Sequence, residues 1–136
     1  MHRYTALIDG QAGGYGVSFP DLPGCVAMGT TVDEAMLGAA EALREYDADV
    51  TARGGVLPSP TSPDRLITNP DVMDALRDGA SFGSVPLVRQ TGRTAKANLS
   101  INAGVLSAID AEASRQGLTR SALVEAMARR SLALMA

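Results

Sequence analysis

Residues 96–101 read KANLSI, and this short stretch decides the fold of the C-terminal third of the chain. Successive side chains of an extended strand point to opposite faces, so the alternation predicts one apolar and one polar row. The apolar row is Ala97, Leu99 and Ile101, and the polar row is Lys96, Asn98 and Ser100. Because a lone strand leaves its backbone groups unpaired, this one needs a partner strand.

Two helices are predicted after this strand. The first covers about residues 103–116, where Gly117 is placed to end it, and the second covers about 120–135, capped by Thr119. The second helix is apolar over a wide arc, which predicts burial on two sides. One strand and two helices in roughly 45 residues are near the limit for independent folding, so we expect this part to dimerise.

The N-terminal part predicts a small antiparallel sheet covered by a helix. Residues 4–9 and 15–19 form a hairpin around the glycine-rich segment 10–14, and residues 25–29 return beside the second strand. The sequence TVDE at 31–34 matches a capping box, which predicts a helix that runs to about Val50.

The middle of the chain predicts a loop, a short helix and one further strand. Three prolines between residues 58 and 63 indicate the loop, and Asn69 followed by Pro70 predicts a helix over 70–77. Residues 85–88 add a strand to the sheet, and the small polar stretch 90–94 reads as a linker. We therefore expect an α+β protein with two domains, residues 1–92 and 93–136.

The two parts of the chain differ in the sign of their charge. Residues 1–88 carry five basic and twelve acidic side chains, a net charge of −7, whereas residues 89–136 carry seven and three, a net charge of +4. This division predicts an acidic partner, such as nucleic acid, for the C-terminal part and a basic partner for the N-terminal part.

Length and composition exclude several classes of protein. A chain of 136 residues holds one compact domain or two very small ones. The single cysteine, Cys25, excludes an internal disulfide framework and any site built from several cysteines. No apolar stretch approaches the roughly 20 residues that span a bilayer, so we expect a cytoplasmic protein without membrane contact.

The order strand, helix, glycine, capped helix over residues 96–135 resembles the ribbon-helix-helix DNA-binding family. The resemblance implies that two chains pair their strands into a ribbon that lies in the major groove of operator DNA. Lys96, Asn98 and Ser100 would then read base edges, since Lys bonds guanine acceptors and Asn pairs with adenine. The start of the second helix, at Thr119, Arg120 and Ser121, would hold a phosphate.

The N-terminal part resembles the HicB family of antitoxins from type II toxin-antitoxin systems. The resemblance is carried by SFPDLPGCV at 18–26, by GTT at 29–31 and by Glu34-Ala35. It implies a partial ribonuclease H-like module that binds and blocks a HicA-like, mRNA-cleaving toxin, joined to a module that represses the shared operon. The expected toxin contacts are acidic side chains of this module: Asp21, Glu34, Glu41 and Glu45.

As such an antitoxin, the chain would be no enzyme, with no catalytic residue, metal or cofactor. It would form a homodimer through the C-terminal domain, and sheet contacts could assemble a tetramer.

Two other functions remain open from the sequence. The first is a ribbon-helix-helix regulator whose N-terminal module senses a small molecule and has no toxin. The second is a metal-dependent nuclease that uses Asp9 with the acidic side chains nearby, although their positions in a turn and a helix start do not form a complete carboxylate set. Neither His2, at the terminus, nor Cys25, which has no accompanying base, is expected to be catalytic.

Overall fold

The computed structural model describes residues 1–135 and divides the chain into two compact units. The N-terminal unit is Met1–Arg89 together with the chain end from Ala133, and the C-terminal unit is Gln90–Leu132. The first junction between the units lies close to the boundary that the sequence predicts at residue 92.

A four-stranded antiparallel sheet forms the centre of the N-terminal unit. Its strands are β1 (Arg3–Gln11), β2 (Gly14–Ser18), β3 (Val26–Gly29) and β4 (Ser81–Pro86), in the order β3-β2-β1-β4. The β1–β2 turn requires glycine at position 10, where φ is 91° and a Cβ would lie 2.1 Å from the Gly14 carbonyl oxygen. The predicted first three strands are confirmed, while β4 begins four residues earlier than predicted, at Ser81.

Helix α1 (Val32–Ala52) covers one face of this sheet. It begins as predicted, because the Thr31 hydroxyl accepts a hydrogen bond from the Glu34 N–H at 3.1 Å. Gly29 allows strand and helix to approach closely, since a Cβ there would lie 2.4 Å from the Ala35 nitrogen. The core between sheet and helix is built mainly from small and aliphatic side chains: Ala6, Val17, Leu22, Ala35, Ala39, Leu43 and Val85, with Tyr4 and Phe19.

Two short helices cover part of the other face of the sheet. They are α2 (Pro63–Leu66) and α3 (Pro70–Arg77), and their buried side chains Leu66 and Val72 pack against Leu7 of β1. Helix α3 has the predicted bounds, and the Asn69 side chain caps it by accepting from the Asp71 N–H at 2.9 Å. The sequence predicted a loop where α2 forms, because a single turn among prolines carries no periodic signal.

An ion pair with a buried carboxylate holds Arg89, at the first junction between the units, to α1. Asp47 is only 7% exposed, and its carboxylate accepts two hydrogen bonds from Arg89, from Nε at 3.0 Å and from Nη2 at 3.3 Å. Arg89 therefore belongs with the acidic N-terminal unit. With Arg89 counted there, the net charge is −6 for residues 1–89 and +3 for residues 90–132. The opposite signs of the two units remain.

We expect Tyr4→Phe to lower the free energy of unfolding by about 1 kcal/mol, the usual net value of one hydrogen bond. Tyr4 is buried in the core, and its hydroxyl donates to the Pro58 carbonyl at 2.7 Å, which ties the proline-rich segment to the sheet. Urea unfolding of the two proteins measures the difference. Tyr46→Phe is the matched control, because the Tyr46 hydroxyl bonds the Pro23 carbonyl at 3.2 Å at an exposed position, where water replaces it.

The C-terminal unit contains two helices, α4 (Ala103–Gln116) and α5 (Arg120–Leu134), with the bounds predicted to within one residue. Gly117 ends α4 in the left-handed conformation, with φ of 69°. The small core of the unit consists of Ile109, Ala113 and Leu123, with Val124 packed against it.

The predicted strand over 96–101 is not formed: no residue from 87 to 102 belongs to a helix or strand. A strand is defined by hydrogen bonds to a neighbour, and the described chain offers none to this segment.

Candidate functional sites

The two side-chain rows of residues 96–101 are both exposed. The polar row, Lys96, Asn98 and Ser100, faces solvent, and Lys96 forms no ion pair within residues 1–135. The apolar row is open as well, with Leu99 70% exposed and Ile101 37% exposed. An exposed apolar row of this kind is typical of a surface that is covered in an assembly.

The first turn of α5 leaves backbone donors available. The Thr119 hydroxyl accepts from the Ala122 N–H at 3.1 Å, which caps the helix as predicted. In the described part of the chain, the N–H groups of Arg120 and Ser121 make no hydrogen bond. These groups, with the positive end of the helix dipole, can accept an anion.

Arg120 is engaged by an acidic residue that the sequence did not single out. Its guanidinium forms a two-point ion pair with Asp110 of α4, in which both N–O distances are 2.8 Å. The hydrogen bond from Arg120 lowers the pKa of Asp110, and the same bond raises the pKa of Arg120. The pair joins residues ten positions apart across the turn between the helices, so no helical spacing signals it. To contact a phosphate, the guanidinium must share or leave Asp110.

A second ion pair lies near the end of α4. Glu112 accepts hydrogen bonds from Arg115 and Gln116, and these bonds lower its pKa to about 2. Arg115 is therefore neutralised locally, which leaves Lys96, Arg93 and Arg130 as cations of this unit that form no ion pair in the described chain.

The four predicted toxin-contact residues differ in their surroundings. Asp21 is half-buried in the turn after β2, and its carboxylate accepts from the Thr61 N–H at 2.8 Å. In a capping box the Glu34 carboxylate would accept from the backbone N–H of the cap residue, but here it accepts from the Thr30 hydroxyl at 2.7 Å. Both carboxylates therefore hold the structure around the start of α1 and the loop beside it.

Glu41 and Glu45 are the more accessible pair. Both are exposed on α1, one turn apart, and Glu41 lies 3.8 Å from Arg44. The spacing of residues 34, 41 and 45 places all three acids on one side of the helix. We call this side of α1 the acidic helix face.

The catalytic alternatives depend on clustered acidic side chains and on Cys25. Within residues 1–135, no group of three or more His, Cys, Asp or Glu side chains could hold a metal ion. Cys25 is buried, and burial raises its pKa to about 11, so its nucleophilic thiolate form is disfavoured. None of the helices in this described range has both the length and the apolar character of a membrane span.

Comparison with known proteins identifies the family. The profile of the HicB-like antitoxins of bacterial toxin-antitoxin systems matches residues 4–128. The chain belongs to the HicB-like antitoxin family. A 14.9 kDa uncharacterised protein from the rep-hol intergenic region of Haemophilus phage HP1 is 32% identical over 107 residues, which cover 79% of this chain and 78% of the phage protein.

Solved structures agree with this membership. The crystal structure of the Burkholderia pseudomallei antitoxin HicB is 25% identical, with a TM-score of 0.53 and 97% of each chain covered. The antitoxin HicB3 is 27% identical, with a TM-score of 0.53, over 96% of this chain and 97% of its own. A chain of the HicA3 and HicB3 toxin-antitoxin complex is 27% identical, with a TM-score of 0.51, over 65% of this HicB-like chain and 99% of its own.

Proposed function

We propose that this HicB-like antitoxin binds a HicA-like, mRNA-cleaving toxin through its N-terminal unit and represses its own operon through a ribbon-helix-helix dimer of its C-terminal unit. The observation that carries the proposal is the similarity to a chain of the HicA3 and HicB3 toxin-antitoxin complex. That match covers 65% of the present chain and 99% of the matched chain.

Neutralisation of the toxin would be stoichiometric rather than catalytic. The acidic helix face offers Glu41 and Glu45 to a basic, RNA-binding surface, which a nuclease needs in order to hold phosphates. Binding there covers the toxin's RNA site by charge and shape. Asp21 and Glu34 contribute indirectly, because they fix the loop and the start of the helix that present this face.

Operator binding would require two copies of the chain. The exposed row Ala97, Leu99 and Ile101 of one copy packs against that of the other, and the paired strands present Lys96, Asn98 and Ser100 to the major groove. The free N–H groups at the start of α5 hold a flanking phosphate, which sets the register without reading sequence.

The test is binding to the DNA upstream of the protein's own gene, with a scrambled fragment as control. Asn98→Ala should weaken binding to the upstream fragment by about 1 to 3 kcal/mol, because one adenine contact is lost, and leave the scrambled fragment unchanged. Anisotropy titrations at one fixed salt concentration measure both affinities. An equal loss on both fragments would contradict base reading by Asn98.

Arg120→Ala should weaken binding to both fragments several-fold and reduce the slope of log affinity against log salt by about 1. The physical reason is the loss of one phosphate contact that carries no sequence information. Asp110→Ala is the matched variant: it frees the guanidinium from its ion pair and should strengthen binding to both fragments. If Asp110→Ala weakened binding instead, the pair itself would be the element that DNA binding needs.

A further inference from the structure

A cavity of about 540 Å³ opens on the face of the sheet that α1 does not cover. It lies between β1, β4 and the segment 60–63, and all of its lining residues belong to the N-terminal unit. Its volume is within the range of small-molecule sites. None of the candidate toxin or DNA contacts lines it, so the proposed function gives it no role.

The lining of the cavity includes hydrogen-bond donors without an acidic partner. Thr5 is only 9% exposed, and its hydroxyl makes no hydrogen bond within residues 1–135. Within residues 1–135, every side-chain N or O atom that is fully enclosed has a hydrogen-bond partner. The unpartnered Thr5 hydroxyl is therefore not fully enclosed, and it is accessible from the cavity that Thr5 lines. A ligand or water in the cavity can supply the missing hydrogen bond to this hydroxyl. Thr5 pairs across the strands with Ser84, which also lines the cavity.

Arg3 stands beside these hydroxyls on the same face of β1. Its Nη1 lies 3.5 Å from the Ser84 hydroxyl and donates to the Met135 carbonyl at 3.1 Å. In the part of the chain that the structure describes, Arg3 forms no ion pair, and no acidic side chain lines the cavity. A carboxylate is a better acceptor for a guanidinium than a neutral carbonyl, because it adds the attraction of opposite charges and can accept two parallel hydrogen bonds.

Apolar residues also line the cavity, together with Thr61 and Ser62, and part of its wall is held in place. The Phe82 ring and the rings of Pro60 and Pro63 line it. The wall that contains the prolines is fixed at two points, by the Thr61 N–H bonded to Asp21 at 2.8 Å and by the Tyr4 hydroxyl bonded to Pro58 at 2.7 Å. The cavity is therefore formed before any ligand arrives, which lowers the entropy cost of binding.

We propose that this cavity binds a small carboxylate with a flat apolar body. The carboxylate accepts from Arg3 and from the hydroxyls of Thr5 and Ser84, while the flat body packs on Phe82 and the two prolines. The lining includes no residue of the acidic helix face and none of residues 96–101, so the proposal stands whether or not the chain binds toxin or DNA.

The test is a titration of the full-length protein with benzoate, followed by amide NMR shifts of β1 and β4. We expect saturable shifts confined to the lining strands and the 60–63 segment. Thr5→Val keeps the side-chain shape and removes the hydroxyl, so it should weaken benzoate binding at least about tenfold without lowering the melting temperature. Arg3→Gln should weaken it by at least as much.

The controls separate the two halves of the proposal. Arg65→Gln removes an exposed arginine of α2 that does not line the cavity, and it should leave benzoate affinity unchanged. Benzyl alcohol, which has the ring without the charge, and inorganic phosphate, which has charge without the ring, should both bind more weakly than benzoate. The proposal is overturned if the wild-type protein shows no saturable shifts, if either probe binds as tightly as benzoate, or if Thr5→Val and Arg3→Gln retain full affinity.

Discussion

Leu99→Glu is expected to leave the purified protein monomeric and to reduce its affinity for the upstream DNA at least about a thousandfold, to the non-specific level. Leu99 is 70% exposed in the single chain, and it lies at the centre of the apolar row that two paired strands would bury. A carboxylate there must be desolvated opposite its own copy, which prevents pairing. Sedimentation equilibrium gives the mass, and anisotropy gives the affinity.

Two further variants test whether the loss of dimerisation and of DNA affinity is specific to residues 96–101. Val56→Glu introduces the same charge at a loop residue that is 87% exposed, and it should change neither mass nor affinity. Changing Lys96, Asn98 and Ser100 together to Ala keeps the apolar row, so this protein should remain a dimer and lose only the preference for the upstream sequence. A Leu99→Glu protein that stays dimeric and specific would rule out the strand-paired dimer.

Reversing the charge of Glu41 and Glu45 together, each to Lys, is expected to lower toxin affinity by about a hundredfold or more and to abolish neutralisation. Each change replaces an attraction to a basic partner with a repulsion, and like charges brought together at an interface cost several kcal/mol. Calorimetric titration with the purified toxin measures the affinity, and protection of an RNA substrate measures neutralisation. Binding to the upstream DNA should be unchanged.

The matched control reverses two acids elsewhere in the same unit. Asp74→Lys with Asp78→Lys changes the net charge by the same amount, and Asp74 forms an i,i+3 pair with Arg77 at 3.9 Å, much like that of Glu41 with Arg44. This protein should retain toxin affinity within a few-fold. An equal loss in both proteins would mean that net charge, and not the acidic helix face, attracts the toxin.

Signals that act over a few residues made much of the fold predictable. The hydroxyl of Thr31, the amide of Asn69 before Pro70, and Gly117 each satisfy backbone groups at a helix end, so the bounds of α1, α3 and α4 followed from the sequence. The alternation over the first two strands was equally informative, because one face of the sheet is buried under α1.

Features that depend on distant partners were not predictable. Strand β4 begins at Ser81 because it pairs with Ile8 of β1, although SFGS has no apolar alternation of its own. The pair of Asp47 with Arg89 and the bond from Thr61 to Asp21 join residues about forty positions apart. The second of these bonds gives Asp21 a structural partner that its residue type alone does not indicate.

The same limit applies to the candidate sites. Helical periodicity places Glu41 and Glu45 on one side of α1. Strand alternation places Lys96, Asn98 and Ser100 on one side of the extended segment. Both placements depend only on residues close together in the sequence. The ion pair of Arg120 with Asp110 depends on how two helices pack, and the cavity beside Thr5 depends on strands from opposite ends of the unit. Neither arrangement leaves a pattern in the order of residues.

The ion pair at Arg89 limits the length of the segment, here called the tether, that would connect the two proposed activities. Because Arg89 is fastened to Asp47, the connecting segment between the N-terminal unit and the proposed ribbon is residues 90–95, which spans at most about 25 Å from Arg89 to Lys96. In a dimer, two toxin-binding units would then lie within a few nanometres of one ribbon. The effective concentration of one toxin-binding unit near the other would then be in the millimolar range. Lengthening this tether is thus a way to weaken cooperation between two bound toxins without touching either surface.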